Sequence, residues 1–162
     1  MDVADLDELV LMQERGAVAG LSNVFPQDRF PFPRATIRTR WNAELQDPGI
    51  SAYVATIPGG DIVGFAARAG NEVLHFGTAP ETWASGLAGW MHDALISTFP
   101  PDVPDLRLRV FVDNGRARRF YEKLGWTATD SRTRTPYPPY AILLEYVFQR
   151  SDRGVQRGAP KP

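Results

Sequence analysis

The sequence predicts one mixed α/β domain, with helices flanking a mainly antiparallel, twisted sheet. Three observations carry this. Two segments of helical periodicity come first, three strand-like runs joined by short turns follow, and helix and strand signals then alternate to the end. The 162 residues suit a single domain with its own core. The chain holds 0 Cys, so its core must stand without disulfides.

From Asp5 to Val18, Leu6, Leu9, Val10 and Gln13 recur at helical spacing, and Gly16 and Gly20 weaken the far end. Ser22 to Arg34 holds three prolines and predicts irregular structure. Ile37, Trp41 and Leu45 mark a second helix that ends before Pro48. Ile50–Thr56 and Ile62–Arg68 flank Pro58-Gly59-Gly60-Asp61, a hairpin signal. Glu72–Thr78 is a third strand, on which strict alternation puts His75 on the face opposite Glu72. Gly86 to Ser97 predicts a helix with Leu87, Trp90, Met91, Ala94 and Leu95 on one apolar face. Leu106–Val112 alternates leucine and valine with Arg107 and Arg109 as a strand. Asp113-Asn114 can cap a helix running to Leu124, and Gly125 stops it. Two last strands, Trp126–Thr135 and Ala141–Phe148, flank the loop Pro136-Tyr137-Pro138-Pro139-Tyr140. The domain is expected to span residues 1–148, with 149–162 a polar, disordered tail.

Composition narrows the function. A formal charge of -1 offers no global attraction to nucleic acid or to an anionic membrane. No apolar run reaches the roughly 18–20 residues of a membrane span, and no signal peptide opens the chain, so a cytoplasmic protein is expected. Two histidines, His75 and His92, are too few and too far apart for a metal cluster, and no metal is expected.

Two segments carry chemistry. Thr78 to Met91 runs from a strand through small residues into a helix. Its first-turn N–H groups and dipole suit an anion such as a pyrophosphate, although plain turn packing fits about equally well. Leu106 to Trp126 is a strand and a helix whose Ala117, Phe120, Tyr121 and Leu124 share one face; Tyr121 differs because a buried hydroxyl needs a partner.

Together these segments resemble the GNAT acetyltransferase superfamily. Its cofactor motif, Gln/Arg-x-x-Gly-x-Gly/Ala between a strand and a helix, reads Trp83-Ala84-Ser85-Gly86-Leu87-Ala88 here. Its later motif matches Asn114, Ala117, Phe120, Tyr121, Gly125 and Trp126. The sequence departs from the pattern in two places. Trp83 stands where the family has Gln or Arg, and only Met1 to Val3 precede the first helix, where a first strand is usual.

The resemblance implies acetyl-CoA, or another acyl-CoA, in a V-shaped cleft between the two central strands. The pantetheine arm would follow Phe76, Gly77 and Thr78. The pyrophosphate would rest on the loop of Trp83, Ala84, Ser85, Gly86, Leu87 and Ala88. Asn114, Ala117, Phe120 and Tyr121 would complete the cofactor site, Asn114 by touching the pantetheine arm or by ordering its loop. Tyr121 matches the family's usual acid, which protonates the departing thiolate. The base is open between Glu72 and His75; turn placement and sheet packing explain those residues as well. The acceptor side would use Phe25, Phe30, Phe32, Trp41, Tyr137 and Tyr140. Arg29, Arg34, Arg38 and Arg40 there could prefer an acceptor with a carboxylate or phosphate, although a solvated charged face explains them too.

The expected reaction is transfer of an acetyl group to a primary amine of a small molecule. A protein N-acetyltransferase and a non-catalytic acyl-CoA-binding domain are the alternatives. Neither nucleic acid nor membrane is expected as a partner, and a homodimer is compatible with the sequence.

Overall fold

The computed structural model describes residues 1–150. Its elements are α1 (Leu6–Gly20), α2 (Arg34–Gln46), β1 (Ile50–Thr56), β2 (Ile62–Ala69), β3 (Glu72–Thr78), α3 (Leu87–Ser97), β4 (Asp105–Phe111), α4 (Gly115–Lys123), β5 (Thr127–Arg134) and β6 (Ile142–Gln149). A 3-10 turn, Val3–Asp5, precedes α1 where the family pattern has a strand. The Asp2 side chain accepts from the Ala4 amide at 2.7 Å, and Asp5 accepts from the Asp2 amide at 2.7 Å. This reciprocal cap starts the helical segment. The expected tail largely lies outside the described residues. Of it, Gln149 belongs to β6, and the Arg150 amide donates to the Pro104 carbonyl at 2.8 Å.

Six strands form one sheet in the order β1-β2-β3-β4-β6-β5. All pairs are antiparallel except β3 with β4. Two cores form on its two faces. On one, α1 and α2 pack Leu6, Leu9, Met12 and Trp41 against Phe65 and Ala67. On the other, α3 and α4 pack Leu95 and Tyr121 against Leu106, Leu108, Val110 and Tyr146. These apolar contacts, at about 25 cal/mol per Å² buried, are the main cohesion of a domain this size.

The sequence-based expectation for α3 needs correction at two exposed positions, Trp90 and Ala94. Trp90 is not on the buried face; it is 65% exposed. His92, buried at 4%, takes a core place instead. The Trp126 indole donates to His92 Nε2 at 2.9 Å, and His92 Nδ1 lies 3.0 Å from Asp93 Oδ1. The ring therefore carries its hydrogen on Nδ1 and bridges α3 to the entrance of β5.

Candidate active site

The site begins where β3 and β4 part. They pair only at Glu72 with Arg107 and Val73 with Leu108. Beyond that, the β4-facing edge of β3 from Leu74 to Thr78 has no strand partner among the described residues, which leaves a cleft open toward the C-terminal ends of both strands.

One wall is the β3–α3 connection. Gly86 is the N-cap of α3 with φ +92°, and Ala84 also has a positive φ of 65°. Ser85 Oγ accepts from the Leu87 amide at 3.2 Å. The amides of Gly86, Ala88 and Gly89 have no acceptor among the described residues. Three free donors at a helix start suit an anion. Trp83 turns its indole N–H to the Thr78 carbonyl at 3.2 Å, and the Arg116 guanidinium lies 3.2 Å from its ring centroid. Trp83 thus contributes a packed ring where the family has a polar side chain, and Arg116 joins the two walls.

The opposite wall is α4. Asn114 Oδ1 accepts from the Ala117 amide at 3.1 Å, so Asn114 caps the helix and orders its loop. Phe120 stacks on Phe76 at 5.9 Å between centroids. Tyr121 is 7% exposed, with ring neighbours Phe120 at 5.2 Å, Trp126 at 5.8 Å and Phe76 at 6.3 Å. Its hydroxyl makes no hydrogen bond among the described residues. Arg40 Nε is the sole fully buried side-chain polar atom without a hydrogen bond among the described residues, so the Tyr121 hydroxyl is not sealed from solvent. Burial raises the Tyr121 pKa well above the ordinary tyrosine value.

The other face of β3 differs from the expectation. Strict alternation put Glu72 and His75 on opposite faces. The β2–β3 register jumps, with Ala67 opposite His75 and Arg68 opposite Val73, so Leu74 is an extra residue. The bulge brings His75 onto the face that Glu72 shares with Arg109. Glu72 Oε1 accepts from Arg109 Nε at 2.9 Å and from its terminal nitrogen at 2.6 Å. His75 Nε2 lies 2.9 Å from both Glu44 oxygens, and its ring is 4.7 Å from Trp41. Both residues therefore face the α1–α2 side, opposite Tyr121.

Gly77 also has an explanation other than ligand approach. A Cβ there would lie 2.6 Å from the Phe65 ring, so packing within the sheet demands the glycine.

The acceptor-side residues divide. Trp41 is 0% exposed and its indole donates to Gln13 at 2.9 Å, so it is a core residue and lines no site, contrary to the expectation. Phe32 packs against the same core, and Phe30 sits under the Arg29 guanidinium at 5.4 Å. Tyr137 and Tyr140 are each 51% exposed. Phe25 meets Phe111 edge-on at 5.2 Å, and Asn23 donates to the Asp113 carbonyl at 2.9 Å, which ties the α1–α2 loop to the end of β4. Arg34, Arg38 and Arg40 pair with Glu14, Asp7 and Glu44, so these arginines serve internal ion pairs.

Glu44, Arg109, Phe111 and Arg116 were not legible as site residues. Each joins the site through a partner distant in sequence. A separate shallow cavity of about 180 Å³, lined by Tyr53, Trp90, Met91 and Leu95 among others, lies on the β1 side away from this cleft.

A splayed parallel strand pair, with a free-amide helix start on one wall and an aromatic helix on the other, defines an acyl-CoA-dependent acetyltransferase fold. The acetyltransferase (GNAT) family model matches residues 17–126, more than half of the chain, and the chain belongs to this family. Solved structures share the fold. The ribosomal-protein-S18-alanine N-acetyltransferase of Escherichia coli is 19% identical, with a TM-score of 0.68 over 92% of this chain and 90% of that one. The spermidine N-acetyltransferase of Vibrio cholerae, in complex with CoA and spermine, is 15% identical, with 0.65 over 92% of each. An acetyltransferase of Thermus thermophilus is 15% identical, with 0.71 over 92% and 93%. No curated protein matches the chain. No helix of the described residues is long and apolar enough to cross a membrane, and they hold no group of three or more metal-ligating side chains.

Proposed function

We propose that the chain transfers an acetyl group from acetyl-CoA to a primary amine of a small molecule by direct attack. The observation that carries this is the division of the splayed strand pair. Tyr121 lies on the α3–α4 side, and Glu72 and His75 lie on the α1–α2 side. An amine approaching from the second side meets a proton acceptor, and a thiolate leaving toward the first meets a donor.

Acetyl-CoA is the co-substrate and supplies the activated thioester. The free β3 edge from Phe76 to Thr78 would hold the pantetheine amides, and the Gly86, Ala88 and Gly89 amides the pyrophosphate. An alkylamine with pKa ~10.4 is almost wholly protonated at neutral pH and must lose a proton before it attacks. The C–N bond then forms, and the C–S bond breaks with its electron pair on sulfur. Tyr121, kept protonated by burial, donates a hydrogen bond and then a proton to that sulfur. The second amine proton leaves to water, and Tyr121 recovers a proton from water, so one proton is released per turnover.

A small-molecule acceptor suits the aromatic pair Phe25 and Phe111 at the end of β4 and the half-exposed Tyr137 and Tyr140 of the β5–β6 loop. The spermidine N-acetyltransferase of similar fold acts on such an amine. One feature favours a peptide acceptor instead. Among the described residues, Arg107 and Arg109 are exposed on the α1–α2 face of β4, beside Glu145 of β6, where an extended chain would find both charges.

The test is thiol release from acetyl-CoA against a panel of polyamines, small amines and alanine-ended peptides, with mass detection of the product. Acetyl-CoA should also raise the melting temperature, because a ligand of the folded state stabilises it. Saturating acetyl-CoA with no thermal shift and no calorimetric binding overturns the proposal.

A further inference from the structure

Of the two proton acceptors that β3 presents to the acceptor side, each is held by a different partner. Glu72 is bound by Arg109, a cation that occupies Oε1 with two N–H donors. His75 is bound by Glu44, an anion that can only accept. The hydrogen between His75 and Glu44 must therefore sit on Nε2. When the ring is neutral, its lone pair is on Nδ1. Nδ1 has no hydrogen-bond partner among the described residues.

The holding is tight. Both Glu44 oxygens lie 2.9 Å from Nε2, the Trp41 ring is 4.7 Å away, and both side chains are 16% exposed. Trp41 and Glu44 lie one turn apart on α2, so one helix face clamps the imidazole by its ring and by its N–H. Arg40, one turn before Glu44, has Nε 3.7 Å from the same carboxylate and adds a cation there. His75 is two residues past the last β3–β4 pair, where the cleft has already opened.

We propose that Glu44 is a positioning residue, which fixes the His75 tautomer and aims Nδ1 as the base for the attacking amine. This rests on the acyl-transfer function proposed above. An amine N–H bond breaks with its electron pair staying on nitrogen, and the proton moves to Nδ1. His75 then releases that proton to water, and Glu44 remains a carboxylate throughout.

The test uses the full chain with acetyl-CoA and spermidine as the probe pair, and the variants Glu44→Gln, His75→Gln and both together. Glu44→Gln keeps the shape of the side chain and removes its charge. We expect it to retain acetyl-CoA affinity and the KM for acetyl-CoA, and to lose about tenfold in kcat. His75→Gln should lose roughly 10²-fold, the lower end of what a positioned base contributes. The double variant should be no slower than His75→Gln, because Glu44 acts through His75. Equal loss from Glu44→Gln in both backgrounds, or no loss in either, overturns the proposal.

A second readout needs no acceptor. Diethyl pyrocarbonate acylates an imidazole lone pair, and His92 is buried with both nitrogens engaged. The single histidine adduct in wild type should fall on His75, and acetyl-CoA should slow its formation. If spermidine is not acetylated, the footprint is compared between wild type and Glu44→Gln, and an identical rate and ring position of the His75 adduct overturns the positioning role. No protection while calorimetry shows acetyl-CoA bound overturns the placement of His75 at the cleft. No binding of acetyl-CoA at all overturns the acyl-transfer function, and this inference with it.

Discussion

Replacing Tyr121 with phenylalanine separates chemistry from packing. The ring is fixed by Phe76, Phe120 and Trp126, and phenylalanine keeps all three contacts. The hydroxyl has no partner among the described residues, so its removal strands no donor or acceptor there. Stability should therefore change by no more than about 0.5 kcal/mol, well under the ~1 kcal/mol of a typical lost hydrogen bond. Acetyl-CoA affinity should stay within a few-fold. Turnover should fall by roughly 10²-fold, which is about 2.7 kcal/mol of transition-state stabilisation. Alkaline unfolding gives an independent check. Burial raises the folded-state pKa above the unfolded value of ~10. The folded state thus holds this proton more tightly, and the associated stability is complete below pH ~10 and erodes as pH rises beyond it. Tyr121→Phe should lose less stability than wild type above pH ~10. The assays are kcat with an accepted amine, calorimetry with acetyl-CoA, and urea unfolding at neutral and alkaline pH. Wild-type kcat in the variant would show that water or another group protonates the thiolate. A stability loss above about 2 kcal/mol would show that the hydroxyl is bonded within the core.

Two further substitutions probe the walls of the cleft and the core behind it. Gly86→Ala meets no atom within 4 Å, but its φ of +92° is disfavoured for a side chain, so unfolding should cost about 1 kcal/mol less; acetyl-CoA binding measured by calorimetry should weaken in parallel, because the same backbone turn presents the free amides. His92→Leu leaves the Trp126 indole N–H without its acceptor in the core, so urea denaturation should show a loss of about 1–3 kcal/mol, and an unchanged midpoint would mean that water reaches the indole.

Elements were legible in the sequence where one local rule fixed them. The Glu72–Thr78 strand and the Pro58–Asp61 turn follow from local residue types alone, and α4, Gly115–Lys123, carries its own cap in Asn114 and its stop in Gly125. Trp41 was misplaced because helical spacing says which residues share a face but not whether a second layer covers that face. Its indole bond to Gln13, 28 positions away, is a tertiary fact. Trp90 failed for the opposite reason. It shares the apolar stripe of α3, yet the sheet beneath is filled by Met91 and Leu95, and Trp90 overhangs its edge. Glu44 had no signal at all. A glutamate on an exposed-looking helix becomes part of a site only because α2 lies across β3.

The Leu74 bulge links these local facts to the proposed chemistry. An unbulged β3 would alternate Glu72 to one face and His75 to the other, which would turn His75 toward α3 and α4, where Tyr121 already stands. The extra residue moves His75 to the α2 side, where Glu44 and Trp41 can hold it. It also lies directly after Val73, the last residue of β3 paired with β4. A bulge locally strengthens twist and bends its strand, so the position that reassigns the face is also where β3 leaves its neighbour. One inserted residue thus serves both parts of the proposed chemistry, a gap between the strands and the placement of His75 on the side opposite Tyr121.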